Sequence, residues 1–202
     1  MGRELKVEFG RINDDNIEQL RKVNLACFPV NYQDSYYKDV SESKGDGLCK
    51  FAYWNGFVVG AACARIEPFN KDDKHKKDDK HKKDDKSTDD DNDSDGDNDN
   101  NSNNNDSKET RIYIMTLGVF AAYRGRSIGT QLIQSVLDHF ESHMMDDELK
   151  DVVEVALHVQ ISNDDAIKFY TEKFGFEKGE IIENYYRRID PPHCYKLYKK
   201  LR

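Results

Sequence analysis

The chain has little cysteine, and what it has is scattered: Cys27, Cys49, Cys63 and Cys194 stand at no spacing that pairs them or holds a metal. A disulfide framework and a zinc ribbon are excluded, and the thiols read as reduced, as in a cytoplasmic protein. No apolar run approaches the ~20 residues that a membrane span requires, so no membrane partner is expected. The first residues, Met1-Gly2-Arg3-Glu4-Leu5-Lys6, show no apolar signal stretch, and Lys6 stands where a myristoylation signal needs Ser or Thr. A basic face is missing too. The formal net charge is -8, and residues 71–110 carry 9 Lys against 15 Asp and Glu, which leaves the remainder close to neutral. Nothing in that balance argues for a nucleic-acid partner. Two common phosphate loops are also absent, since there is no Gly-Lys-Ser/Thr and no Gly-x-Gly-x-x-Gly.

What is present centres on residues 111–130. Ile112, Ile114 and Thr116 alternate with Tyr113, Met115 and Leu117, a strand pattern in which the two sets point to opposite faces. A basic glycine-bearing loop follows, Arg124-Gly125-Arg126-Ser127-Ile128-Gly129. Then comes an amphipathic helix with Ile128, Leu132, Ile133, Val136, Leu137 and Phe140 at helical spacing. Strand, basic glycine loop and helix together form a phosphate-binding layout, because the free N–H groups at a helix start carry partial positive charge.

The 202 residues suffice for one domain with its own core, and 1–202 is read as a single domain. Val7–Gly10 reads as a short strand. Asn13-Asp14-Asp15 caps a helix carrying Ile17, Leu20, Val23, Leu25 and Cys27, which ends at Phe28 because Pro29 follows. Tyr36–Val40 is at most a short helical turn. Cys49–Trp54 and Phe57–Glu67 are strands joined by Asn55-Gly56, a hairpin signal. Residues 68–109 break the pattern: Lys-Asp-Asp-Lys-His-Lys occurs at 71–76 and again at 77–82, and an Asp/Asn/Ser run follows. With almost no apolar residues, this stretch reads as a disordered insertion in a hairpin loop, and His75 and His81 as solvated rather than metal-binding. Val152–Val159 is a strand, residues 162–174 a helix closed by Gly175, and Glu177–Glu183 and His193–Lys200 are the last two strands.

The basic loop resembles the Arg/Gln-x-x-Gly-x-Gly/Ala signature of GNAT acetyltransferases, with Ser127 where that family usually has its first glycine. The resemblance tightens along Phe28-Pro29-Val30, Tyr32, Tyr36–Val40, Tyr113–Gly118, Leu157–Asn163, Phe169-Tyr170, Phe174–Glu177 and residues 184–189. Together these are similar to the NatE (San) type of protein N-terminal acetyltransferase. The likeness covers nearly all of the chain outside 68–109.

That resemblance implies an α/β GNAT fold: a mixed central sheet of about seven strands flanked by helices. It implies acetyl-CoA as co-substrate, no metal, and transfer to the α-amino group of proteins beginning with Met and an apolar residue. Nascent or finished protein N-termini would be its partners, with a larger acetyltransferase assembly at the ribosome. It also implies Tyr113 and His158 as the base pair. The main chain of Leu117, Gly118 and Val119 would meet pantetheine and thioester. Arg124, Gly125, Arg126, Ser127, Ile128, Gly129 and Thr130 would hold the pyrophosphate, with Asn163 and Tyr170 as a further contact to the cofactor. Phe28, Pro29, Val30, Tyr32, Met115, Tyr185, Tyr186 and Ile189 would bind the substrate. Ser127 is expected in ordinary helical dihedrals, which serine accepts at little strain. Two other readings stay open: a lysine or small-amine acetyltransferase, and a weakly active docking subunit.

Overall fold

A computed structural model describes residues 6–43, 47–69 and 109–202. Strand β1 (Val7–Arg11) is followed by α1 (Ile17–Cys27), α2 (Asp34–Glu42), and the hairpin of β2 (Cys49–Trp54) and β3 (Phe57–Pro68). Then come β4 (Thr110–Val119), α3 (Ile128–His143), β5 (Val152–Gln160), α4 (Asp164–Phe174), β6 (Glu177–Ile182) and β7 (Cys194–Lys200). The strands form one seven-stranded sheet in the order β1-β2-β3-β4-β5-β7-β6. Every neighbouring pair is antiparallel except β4 and β5, which run parallel. The α/β GNAT-type architecture expected from the sequence is present.

Alternation along β2 and β3 divides the core between two faces. Phe51, Ala61 and Cys63 pack with Leu20 and Val23 of α1 and with Tyr37 and Val40 of α2. Their neighbours Ala52, Val59 and Ala62 pack with Ile128 and Leu132 of α3. Further along α3, Ile133, Val136, Leu137 and Phe140 join Ile112 and Ile114 of β4 and Tyr170 and Phe174 of α4. All six apolar residues assigned to α3 from spacing are buried, and burial of each stabilises the fold by about 1.5–3 kcal/mol. This stripe fixes the start of α3 against the end of β4.

Several details differ from the sequence pattern. Residues 34–42 form a full helix of nine residues rather than a single turn, with Tyr37 and Val40 buried on one side. Helix α1 starts after Asn16, whose carboxamide accepts from the N–H of Asn13 and donates to the carbonyl of Arg11. Asn13-Asp14-Asp15 therefore forms the turn before the helix and not its cap. Leu25 is 61% exposed, and the inward face of α1 is Leu20, Val23 and Asn24. The β3–β4 ladder also runs beyond the expected hairpin: Pro68 pairs with Thr110, and the N–H of Phe69 donates to Glu109. Residues 68, 69 and 109 thus belong to the sheet end, and the rest of the expected insertion lies outside the described residues.

The most consequential difference is a bulge in β4. Cys63 pairs with Thr116 and Ala64 with Ile114, which leaves Met115 as an extra residue. A bulge reverses the phase of alternation beyond it. Leu117 consequently packs on the α3 side with Ile112 and Ile114, while Met115 packs on the α1–α2 side. Thr116 directs its hydroxyl to Tyr36 of α2. The simple alternation of Ile112, Ile114 and Thr116 against Tyr113, Met115 and Leu117 therefore fails after Ile114.

The second organising feature is a fork. β5 pairs with β4 only from Val152↔Thr110 to Ala156↔Tyr113, although β4 continues to Val119 and β5 to Gln160. On its other side β5 stays paired with β7 as far as Gln160↔Cys194. The two parallel strands separate toward their C-terminal ends, the place where open α/β sheets bind ligands.

Candidate active site

The register of the fork determines what meets there. Tyr113 is the last β4 residue paired to β5, opposite Ala156, and His158 lies two residues further along β5. The Tyr113 hydroxyl is 2.9 Å from His158 Nδ1. A third side chain completes the cluster. Tyr185, from the loop between β6 and β7, stacks its ring on the imidazole at 4.5 Å and places its hydroxyl 3.3 Å from the same Nδ1. The two tyrosine hydroxyls are 3.5 Å apart.

Burial holds the Tyr113 phenol well above its ordinary pKa, and the nearby Tyr185, Tyr186 and Glu67 reinforce the shift. Tyr113 is therefore protonated across the physiological range, and its hydroxyl can donate to Nδ1 wherever that nitrogen carries no proton. Behind the phenol, the guanidinium groups of Arg65 and Arg111 stand 5.5 and 5.9 Å from the ring centre. Glu67 ties both, at 2.8 Å to Arg65 and 2.7 Å to Arg111. Tyr113 is thus held by a charged clamp as well as by its strand.

Two loops face this cluster. In the α1–α2 loop, Phe28 packs edge-on against Tyr32 with ring centres 5.9 Å apart, and Tyr32 lies 4.7 Å from Tyr36. In the β6–β7 loop, Tyr185 and Tyr186 meet edge-on at 4.9 Å. Burial pushes the Tyr32 phenol up to about 12. Burial also raises the Tyr186 phenol, and Cys194, Tyr185 and Tyr32 add to that shift. Met115 packs into the same cluster as Tyr32 and Tyr36. The β6–β7 loop is pinned by the N–H of Tyr186 donating to the Pro192 carbonyl and by the Gln160 carboxamide donating to the Pro191 carbonyl, both at 2.8 Å. Tyr185, with Tyr186 packed on it, stands beside Tyr113, and Phe28, Tyr32 and Met115 gather at Tyr36. Val30 instead lines a shallow outer cavity of about 220 Å3 with Arg21, Leu25, Asn31, Tyr32 and Tyr37. Pro29 is exposed and Ile189 half-buried, each in its expected loop.

On the far side of the fork, the edge of β4 that faces β5 has no ladder beyond Tyr113. Leu117, Gly118 and Val119 lie on that free stretch, which can pair with a strand-like ligand. Packing at Gly118 is tight, because a Cβ there would sit 3.1 Å from the Cβ of Cys27 on α1 and the neighbours would have to give by a few tenths of an ångström. The Arg124 side chain folds back to donate to the Val119 carbonyl at 3.0 Å. The loop then enters α3, whose first N–H groups have no partner within the helix. A Cβ on Gly129 would meet nothing closer than 3.8 Å, so protein packing does not demand glycine there and room remains for a ligand.

Ser127 departs from expectation. It is the N-cap of α3 in the left-handed region, at φ 60 and ψ 14, and its hydroxyl makes no cap bond. Gly125 has φ 72. The chain must reverse sharply between the end of β4 and α3, and two left-handed residues make that turn. At Gly125 the conformation is free of steric cost, whereas at Ser127 a Cβ costs roughly 1–2 kcal/mol.

Asn163 and Tyr170 are placed by the fold for structural work. Asn163 caps α4 by accepting from the N–H of Ala166 at 3.2 Å. Tyr170 is buried in the main core between Phe169 and Phe176, with its phenol pushed up by burial. Sequence reasoning placed Tyr185 only in the substrate wall and missed its hydroxyl beside His158. No short-range signal carries that contact, which spans 27 residues.

The arrangement is a protonated tyrosine hydroxyl hydrogen-bonded to an imidazole, beside a free strand edge and an uncapped helix start, with a second tyrosine stacked on the imidazole. It suits proton removal from an amine aligned with an acyl donor laid along β4. The family model described as "Acetyltransferase (GNAT) family" matches residues 17–176. N-alpha-acetyltransferase 50 of Danio rerio is 38% identical over 98% of this chain and 90% of its own length. The probable N-acetyltransferase san of Drosophila melanogaster is 37% identical over 97% of this chain and 82% of its own. A solved structure, Arabidopsis thaliana Naa50 in complex with the bisubstrate analogue CoA-Ac-MVNAL, superposes with a TM-score of 0.68 at 36% identity, covering 96% of this chain and 97% of that one.

Proposed function

The chain belongs to the GNAT acetyltransferase family, within it to the NatE (San) type, and from that premise we propose that it acetylates the α-amino group of proteins beginning with Met and an apolar residue, with acetyl-CoA as donor. The observation that carries the reading is the Tyr113–His158 hydrogen bond of 2.9 Å at the fork of β4 and β5. A protein α-amino group has a pKa of about 7.7–8.0, so much of it is protonated near neutrality and must lose a proton before it attacks a thioester.

In this reading Tyr113 relays that proton. Its hydroxyl takes a proton from the amine, directly or through one water, as its own proton passes to His158 Nδ1. Phenolate never accumulates, which suits a phenol held protonated by burial. The edge of β4 at Leu117, Gly118 and Val119 aligns the pantetheine arm as an added strand. The loop from Arg124 to Thr130 receives the pyrophosphate, with the charge of Arg124 and Arg126 and the first N–H groups of α3. Phe28, Tyr32, Met115 and Tyr186 form the wall that encloses the first side chain of the substrate. A methionine suits it because a flexible thioether packs well against aromatic edges. Free thiols at all four cysteines agree with a cytoplasmic enzyme meeting nascent or finished chains.

The test is the position of the acetyl group on a peptide that begins Met-Leu and carries one internal lysine. Fragmentation mass spectrometry should place it on the α-amine. Acetylation of the lysine instead would overturn the reading.

A further inference from the structure

The bulge in β4 creates a contact that the proton relay does not use. It turns Thr116 toward α2, where its hydroxyl lies 2.9 Å from that of Tyr36, a partner 80 residues away in sequence. Thr116 is 3% exposed and Tyr36 is half-buried, so water does not readily replace the bond. The Asn24 carboxamide is buried beside the same Tyr36 hydroxyl, and its Nδ2 has no hydrogen-bond partner among the described residues. Tyr36 is also the inner end of the aromatic series Phe28, Tyr32, Tyr36. Met115, adjacent to Thr116, packs against the same cluster.

We propose that Tyr36 and Thr116 are positioning residues for the substrate pocket: their hydrogen bond ties the aromatic wall of the α1–α2 loop to the strand that carries Tyr113 and Met115. The inference rests on the N-terminal acetyltransferase reading and names what sets the geometry of the same site. Without the bond, Tyr32 would be held to the sheet only by its stacking on Tyr36 and by the apolar packing of α2. The first side chain of the substrate would then meet a wall free to shift relative to the acyl donor. Proton removal at Tyr113 would be unaffected, because neither hydroxyl reaches the reacting atoms. Substrate binding is the step the bond governs.

Steady-state kinetics with a Met-Leu peptide test this on Tyr36→Phe, Thr116→Val and Thr116→Ser. Losing one hydrogen bond of ordinary strength should raise the peptide KM roughly three- to tenfold in Tyr36→Phe and Thr116→Val. The two effects should be of similar size, because each variant strips the same bond from the remaining hydroxyl. kcat should stay within about twofold, acetyl-CoA affinity should not change, and Thr116→Ser should restore the wild-type KM. The double variant should be no worse than Thr116→Val alone, since both remove the same bond. An unchanged KM in Tyr36→Phe and Thr116→Val overturns the proposal. So does a fall in kcat together with acetyl-CoA affinity, which would mean that the pair merely supports β4. Wild-type turnover is read separately. If the wild type does not acetylate the peptide, the function is wrong, and amide hydrogen exchange of residues 28–33 decides the positioning role. Exchange about tenfold faster in Tyr36→Phe than in wild type, with α3 unchanged, supports the tie, and equal exchange refutes it.

Discussion

At the scale of single residues, the site separates chemistry from cofactor binding. Tyr113 and His158 bond to each other at 2.9 Å at the fork, and Arg124 to Thr130 lie beyond the end of β4. Tyr113→Phe and His158→Ala should each lower kcat by about 10²–10⁴-fold, the usual contribution of a positioned acid or base. Acetyl-CoA affinity, measured by calorimetry, should be unchanged in both. Ser127 makes a different prediction. Its left-handed φ of 60 belongs to the turn into α3, and the prediction takes that turn to persist when acetyl-CoA binds. Ser127→Gly removes a steric cost of roughly 1–2 kcal/mol but adds chain entropy to the unfolded state, so a net stabilisation of at most about 1 kcal/mol is expected in a denaturation titration. Strain present in both free and bound protein cancels from the affinity. The acetyl-CoA dissociation constant should therefore change by less than about tenfold. The sequence identified Ser127 as the unusual residue of the loop, yet its conformation depends on where β4 ends and α3 begins, which serine itself does not announce.

At the scale of elements, the strands and long helices were legible because their patterns are local. The buried stripe of α3, the hairpin at Asn55-Gly56 and the left-handed Gly175 that closes α4 follow from spacing and turn chemistry, and the structure has all three. α2 was undercalled because Asp34–Glu42 holds only Tyr37 and Val40 as a buried pair, too few for a clear helical period. The bulge at Met115 was illegible for a physical reason. It is a property of pairing with Cys63 and Ala64 on β3, and neither strand alone shows it. Of the candidate site, the pair Tyr113 and His158, whose side chains do meet, was legible through family likeness. Its assembly was not, because the contact of Tyr185 with His158 depends on a loop pinned by Gln160 and Tyr186. The β3–β4 connection gives an element-scale prediction. Pairing of Pro68 with Thr110, followed by the Phe69–Glu109 bond, brings the strand ends together without help from the intervening chain. Replacing residues 70–108 with a short turn should leave the melting temperature and the turnover near wild type, because loop closure depends only weakly on length, ~0.6 kcal/mol per doubling. A variant that fails to fold, or loses acetyl-CoA binding, would show that the segment has a structural role.

At the scale of the whole molecule, proton linkage and substrate choice both follow from the buried tyrosines around the site. Tyr36, Tyr113 and Tyr170 all have phenol pKa values raised chiefly by burial. The folded protein therefore keeps protons that the unfolded chain releases near pH 10. Stability from these groups is complete below that pH and is lost as pH rises toward the folded-state values, with a slope of about 1.4 kcal/mol per unit for each group. Denaturation midpoints measured from pH 8 to 11 should hold steady at first and then fall with increasing steepness above pH 10. A flat profile would mean that these phenols ionise freely in the fold. Around Tyr113, the sheet brings a hydrogen-bonded tyrosine–histidine pair and a free strand edge to one fork, and the proposed pocket adds an aromatic wall. Burying the methionine side chain in that wall should contribute about 1.5–3 kcal/mol, a factor of roughly ten to a hundred in kcat/KM. The most direct measurement is a competition in one reaction between three peptides, one beginning Met-Leu, one beginning Ser-Glu, and one N-terminally blocked with an internal lysine. The Met-Leu peptide should be acetylated at least about tenfold faster than either competitor, and equal rates, or a preference for the lysine peptide, would contradict the account.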